Sequence, residues 1–152
     1  MNEACDAVLF DLFGTLVDSA GEAVSGAAEL LAGLPAGRWA IVTSAPRALA
    51  EVLLARAALP APAVLVTSDD IRANKPAPDG YLLAARLLGA RPATCLVVED
   101  STPGVLSATA AGMRVVAVAN GHSRAFPHGA SVVDRLEDLH FRLGAGERII
   151  VS

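Results

Sequence analysis

The sequence predicts an α/β fold, a doubly wound, mostly parallel sheet flanked by helices on both faces in three layers. Three observations carry this. Short unbroken apolar runs recur along the 152 residues, which is how strands covered on both faces read. Ala/Leu-rich stretches with helical periodicity lie between them. The connections are short, as in a sheet wound by alternating strands and helices.

Taken in order, AVLF at 7–10 is the first strand, ended by Asp11 and the Gly14-Thr15 turn. Residues 22–34 read as a helix closed by Gly33. WAIV at 39–42 is the second strand. The helix at 46–58 starts at Pro46, where proline is tolerated, and Leu49, Val52, Leu53 and Arg56 keep its period. AVLV at 63–66 is the third strand. The helix at 78–89 starts at Pro78, carries Tyr81, Leu82, Ala85 and Leu88 in register, and ends at Gly89. CLVV at 95–98 is the fourth strand, followed by a helix at 102–112 that ends at Gly112. RVVAV at 114–118 is the fifth strand, and SVV at 131–133 a short sixth. In the tail, 134–152, DRLEDLHF reads as a short helix and RIIV as a final strand or a segment packed on a partner.

The length suits one well-cored domain, 1–152, and is too short for two ordinary ones. The composition, 53% hydrophobic and 18% charged, is that of a compact chain. A net charge of −4 with no basic patch argues against nucleic acid and against an electrostatic membrane partner. No apolar run approaches a membrane span. MNEACDAVLF lacks the basic start of a signal peptide, and Cys5 and Cys95 read as isolated reduced thiols, so a cytoplasmic setting is expected.

In an open parallel α/β sheet, chemistry gathers at the carboxyl ends of the strands. The residues there are Asp11 after the first strand, Thr43 and Ser44 after the second, Ser68, Asp69 and Asp70 after the third with Lys75 beyond them, and Glu99 and Asp100 after the fourth. Lys75 stands out: of twelve basic residues, eleven are Arg. This set suits phosphate chemistry with a hard cation. Asp11 and Asp100 can hold Mg²⁺ through oxygen. The metal and Lys75 neutralise a phosphoryl group, Thr43 donates to a phosphate oxygen, and the Asp11 carboxylate attacks phosphorus. Each piece also has a plain structural reading. Thr43, Ser44, Asp100 and Ser101 are all candidates to cap the helices that follow them. Asp69 and Asp70 read as loop charges, and His122, His128 and His140 as surface or loop residues without metal-ligand spacing. Four strand-end loops carrying such residues together favour the chemical reading.

The motifs FDLFGTLVDS, IVTS, NKPAPDGY and VVEDSTPGVLSATAAGM, in that order, resemble those of the haloacid dehalogenase (HAD) superfamily of hydrolases, and within it the β-phosphoglucomutase-like sugar phosphatases. The resemblance covers about residues 7 to 140 and implies a Rossmann-like core. It makes Asp11 the nucleophile, places Thr43 and Ser44 on the phosphate with Lys75, and makes Asp11, the Phe13 carbonyl and Asp100 the Mg²⁺ ligands, with Glu99 behind them. Lys75 precedes Glu99-Asp100, the reverse of the order in response-regulator receivers.

Two departures stand out. Relatives usually carry an Asp where this chain has Phe13; that Asp protonates the leaving alcohol and then activates water. Slow turnover is therefore expected. Relatives also carry a helical cap after the first motif, and the stretch VDSAGEAVSG is too short to hold one. A capless core with an open site is expected, suited to small or larger phosphorylated substrates or to closure by a second subunit in a homo-oligomer. The leading expectation is a Mg²⁺-dependent phosphatase of phosphate monoesters, sugar phosphates among them. The alternatives are a degenerate member that binds without turnover and a metal-independent 2-haloacid dehalogenase, the branch that has an aromatic residue at this position.

Overall fold

The computed structural model describes residues 3–122 and 125–152. Its centre is a six-stranded parallel sheet. In chain order the strands are Ala7–Phe10 (β2), Trp39–Val42 (β3), Val64–Val66 (β4), Cys95–Glu99 (β5), Arg114–Val118 (β6) and Ser131–Val133 (β7). They lie in the order β4-β3-β2-β5-β6-β7. The chain winds outward from β2 to β4, then crosses to β5 on the other side. The switch point is the seam between β2 and β5, where a parallel α/β sheet opens a crevice.

Strand side chains alternate between faces, and the two cores follow that alternation. Val8 and Phe10 share one face with Trp39, Ile41, Leu96 and Val98; Ala7 and Leu9 share the other with Ala40, Val42, Cys95 and Val97. Helices Ala27–Ala32 (α1) and Arg47–Arg56 (α2) bury Leu30, Leu31, Ala50 and Leu54 on the first face. Helices Asp79–Leu88 (α3) and Thr102–Ala110 (α4) bury Tyr81, Ala84, Ala85 and Ala108 on the second. The three layers expected from the sequence are present.

Three details differ from the sequence expectation. The helix expected over 22–34 is only α1. Residues before it are drawn into a hairpin: Val17 bridges Ala23, and Val24 N–H donates to the Leu16 carbonyl at 2.9 Å. The Asp18 carboxylate accepts from the N–H groups of Ala20 and Glu22 and closes the turn. Gly26 then takes a left-handed conformation at φ 88°, its α-carbon pressed against Glu137, where a side chain would collide. DRLEDLHF holds one 3₁₀ turn, Leu136–Asp138, rather than a helix. RIIV does form a strand, Ile149–Val151 (β9), which lies antiparallel between Glu3–Cys5 (β1) and Phe141–Leu143 (β8) in a second, three-stranded sheet. Neither β1 nor β8 was expected. Cys5, Ile149 and Val151 from this sheet extend the α1/α2 core. No helix among the described residues is long and apolar enough to cross a membrane.

Candidate active site

Backbone pairing brings the acidic residues together. Asp11 N–H donates to the Val98 carbonyl at 3.1 Å, so Asp11 leaves β2 beside the end of β5, where Glu99 and Asp100 stand. Glu99 lies two residues beyond Val97 and therefore faces the α3 side of the sheet. There it is fully buried. Its carboxylate accepts from Lys75 Nζ at 2.6 Å, Tyr81 Oη at 2.6 Å, Asp100 N at 3.2 Å and Ser101 Oγ at 3.3 Å. The loop before α3 delivers Lys75, whose ammonium donates to Asp11 Oδ1 at 2.7 Å, to Glu99 and to the Val42 carbonyl at 3.0 Å. It also sits 5.1 Å from the Tyr81 ring centroid. All three ammonium protons thus have acceptors.

On the other side of Asp11, Thr15 Oγ1 lies 3.2 Å from both Asp11 Oδ2 and Asp100 Oδ1. Gly14 is left-handed at φ 89°, and a Cβ there would occupy the place of the Asp100 carboxylate. Only glycine serves both needs. Asn120, in the loop after β6, pins this turn by donating to the Gly14 carbonyl at 3.1 Å.

Burial pushes the Asp11 carboxyl up from its ordinary 3.8 to about 6, with Lys75 opposing the rise and Asp100 adding to it. Burial, reinforced by the Asp11 charge, raises Glu99 in the same direction. Burial alone would lower Lys75, but Asp11 and Glu99 together hold its ammonium above the usual lysine value. The sign of the Asp11 shift sets a pH dependence. A carboxyl that holds its proton more tightly when folded adds stability below its unfolded value and loses it as pH rises through the folded one. The metal-free protein is therefore expected to lose stability between about pH 4 and about pH 7. Added Mg²⁺ should restore part of the loss at the upper end. Melting curves beside those of Asp11→Asn, which cannot titrate there, check the assignment.

Asp11, Glu99 and Asp100 each offer an oxygen within 4.8 Å of the others. The hydrogen bonds sort them: Glu99 is engaged by Lys75, Tyr81 and Ser101, while Asp11 and Asp100 face each other across Thr15. Two neighbouring hard-oxygen donors beside a left-handed turn fit a cation such as Mg²⁺.

The sequence-expected residues fall unequally on this site. Asp11, Lys75, Glu99 and Asp100 converge. Thr43 is buried at the end of β3, one residue past the carbonyl that holds Lys75, and its hydroxyl oxygen accepts from Ala45 N–H at 3.1 Å. Ser44 beside it is exposed. Phe13 is 52% exposed. Asp69 and Asp70 do not join the site; they receive the Arg47 backbone and guanidinium and fasten the β4 loop to the start of α2. Gly104 and Asn120 were not singled out from sequence, and Thr15 and Tyr81 were read only as part of a turn and of a helix, with no place in the site. Gly104 is the sharpest of these. In the first turn of α4, a Cβ on it would occupy the Glu99 carboxylate. Gly104→Ala is expected to dislodge Glu99 and to destabilise by about 1–3 kcal/mol, read by denaturant titration.

A sequence profile of haloacid dehalogenase-like hydrolases matches residues 19–112, more than half of the chain. The chain belongs to the haloacid dehalogenase-like hydrolase family. The match begins downstream of Asp11, whose carboxylate the structure sets beside Lys75 and Asp100. Hexitol phosphatase A of Escherichia coli (strain K12) is 52% identical over 87 residues, 57% of this chain and 39% of that protein. Fructose-1-phosphate phosphatase YqaB of the same organism is 41% identical over 80 residues, 52% of this chain and 43% of that protein. The chain thus aligns with about two fifths of the length of these curated relatives. Among solved structures, β-phosphoglucomutase from Clostridium difficile superposes with a TM-score of 0.75 at 17% identity, covering 90% of this chain and 93% of that one. At that identity the likeness shows the fold: the six-stranded sheet and its helices are those of the family.

Proposed function

We propose that this protein is a Mg²⁺-dependent phosphohydrolase of phosphate monoesters, sugar phosphates among them, acting through an aspartyl-phosphate at Asp11. The observation that carries the reading is the shared ammonium: Lys75 lies 2.7 Å from Asp11 and 2.6 Å from Glu99, with Asp100 on the opposite side of Asp11. A bound phosphoryl group would take over the Asp11-facing proton of Lys75, while Glu99 and Tyr81 keep the ammonium in place. Thr43 and Ser44 would donate to phosphate oxygens at the end of β3. Asp11, the Phe13 carbonyl and Asp100 would hold Mg²⁺, which when bound offsets the negative charge on phosphate and nucleophile alike. Glu99 holds Lys75 and takes no place among the ligands.

Phe13 provides neither the acid nor the base of the second carboxylate usual in the family. General acid–base help is worth about 10²–10⁴-fold, so turnover is slow. In this reading the chain is one core domain, 1–152, with no inserted cap, which the hairpin at 17–23 directly after the first motif supports. The open site admits a phosphorylated substrate, small or larger, and a second copy of the chain is the natural cover. Two free, buried cysteines suit the reducing cytoplasm.

The test is phosphate release from para-nitrophenyl phosphate with and without Mg²⁺. Release that needs Mg²⁺ and vanishes in Asp11→Asn supports the reading. Mg²⁺-independent chloride release from a 2-haloacid, untouched by Asp100→Ala, would replace it. A second reading is favoured by Phe13 itself: a member that binds a phosphorylated ligand without turnover. Mg²⁺-dependent phosphate binding with no hydrolysis by the parent, and hydrolysis by Phe13→Asp, would support that one.

A further inference from the structure

We propose that the site is built for phosphorylated substrates whose leaving group departs as a stable anion, aryl and acyl phosphates as a class, and that the phosphoryl group then dwells on Asp11. The inference rests on the phosphohydrolase reading and follows from where the site keeps its protons. Phe13, half exposed, has none to give. In the phosphohydrolase reading the described groups around Asp11 have theirs committed, the Thr43 and Ser44 hydroxyls to phosphoryl oxygens. Lys75 directs its three ammonium protons to Asp11, Glu99 and the Val42 carbonyl. The Tyr81 hydroxyl donates to Glu99, as does Ser101 Oγ. The Thr15 hydroxyl lies between Asp11 and Asp100. Even if phosphate draws one Lys75 proton away from Asp11, that proton goes to a phosphoryl oxygen and not to the departing one.

The consequence falls on both chemical steps. In the first, an Asp11 oxygen bonds to phosphorus, and the bond from phosphorus to the leaving oxygen breaks with its electron pair on that oxygen. An alkoxide formed this way needs a proton as it leaves. A phenolate or a carboxylate does not and is protonated later, if at all, by solvent. In the second, a water oxygen bonds to phosphorus, the bond from phosphorus to Asp11 breaks, the carboxylate is restored and the water's proton passes to solvent. With Phe13 unable to receive that proton, this step lags and the aspartyl-phosphate accumulates.

One histidine bears on the argument. His122 lines a cleft of about 500 Å³ together with Gly14, Asp18, Asp100, Arg135 and Glu137, so it is the residue to test as a substitute acid.

The experiment follows Mg²⁺-dependent turnover of a series of substituted aryl phosphates and one alkyl phosphate by rapid mixing. The expected result is a kcat/KM that climbs steeply as the phenol becomes more acidic, with a burst of phenol stoichiometric with enzyme from para-nitrophenyl phosphate. Phe13→Asp should raise the alkyl phosphate rate by about 10²–10⁴-fold, raise the most acidic phenol's rate far less and remove the burst. Phe13→Asn, similar in shape without the acid, should do neither. A rate indifferent to phenol acidity, with no burst, overturns the proposal while leaving the phosphohydrolase reading intact. An indifferent rate that turns steep in His122→Gln overturns it by placing the acid on His122. No turnover of any aryl phosphate and no phosphoryl group on Asp11 overturns both readings together.

Discussion

Lys75→Met is expected to cost about 3–5 kcal/mol of stability, the usual consequence of removing one partner from a buried ion pair. Lys75 is the cation between Asp11 and Glu99, and its side chain is 9% exposed. Without it, two carboxylates lie in the protein interior with no opposite charge beside them among the described residues. At roughly 2–4 °C per kcal/mol for a chain of this size, the melting temperature should fall by about 6–20 °C. The loss should shrink as pH is lowered, because Asp11 and Glu99 already resist ionisation and protonation removes the uncompensated charge. Calorimetry across pH reads both effects. Arg at this position should not rescue: the ammonium meets three acceptors from three directions, a geometry that the planar guanidinium does not reproduce.

Asp11→Asn is expected to reduce phosphate release to the rate without enzyme. An amide is no nucleophile toward phosphorus, and no other carboxylate occupies its place. Glu99 is held on the far side of Lys75, and Asp100 points at Asp11 from across Thr15. The fold should survive, because Lys75 keeps Glu99 and the Val42 carbonyl, and an asparagine oxygen still accepts from the ammonium. The variant should also lose most of the thermal stabilisation that Mg²⁺ confers on the parent, since one of two facing carboxylate donors is gone. Activity and melting curves on the same preparation separate the chemical loss from any structural one.

How much of this was legible in the sequence depended on the length and the burial of each feature. The runs at 7–10, 39–42 and 95–98 read correctly because central parallel strands are apolar on both faces. The three-residue strands β1 and β8 carry too few residues for any period to show. The expected helix over 22–34 failed in its first part, where Ala23 and Val24 have the composition of a helix but are claimed by the hairpin with Leu16 and Val17. Within the site, Lys75 was visible as the single lysine among eleven arginines. Asp11, Glu99 and Asp100 were visible as charges at strand ends. The role of Glu99 as the holder of Lys75 was not, since it depends on the register that sets Glu99 on the α3 face. Tyr81 read as an apolar residue in helical period, although its hydroxyl serves Glu99. Gly104 carried one faint signal, a glycine inside the first turn of a helix where glycine is unfavourable.

The central claim is that Asp11 takes the phosphoryl group. The direct measurement is acid-quenched enzyme, after brief incubation with Mg²⁺ and para-nitrophenyl phosphate, digested and mapped by mass spectrometry. A phosphoryl group on the peptide that contains Asp11, absent without Mg²⁺ and absent in Asp11→Asn, is the predicted result. Phosphate release that proceeds at the same rate in Asp11→Asn, or a phosphoryl group on any other residue, would contradict it.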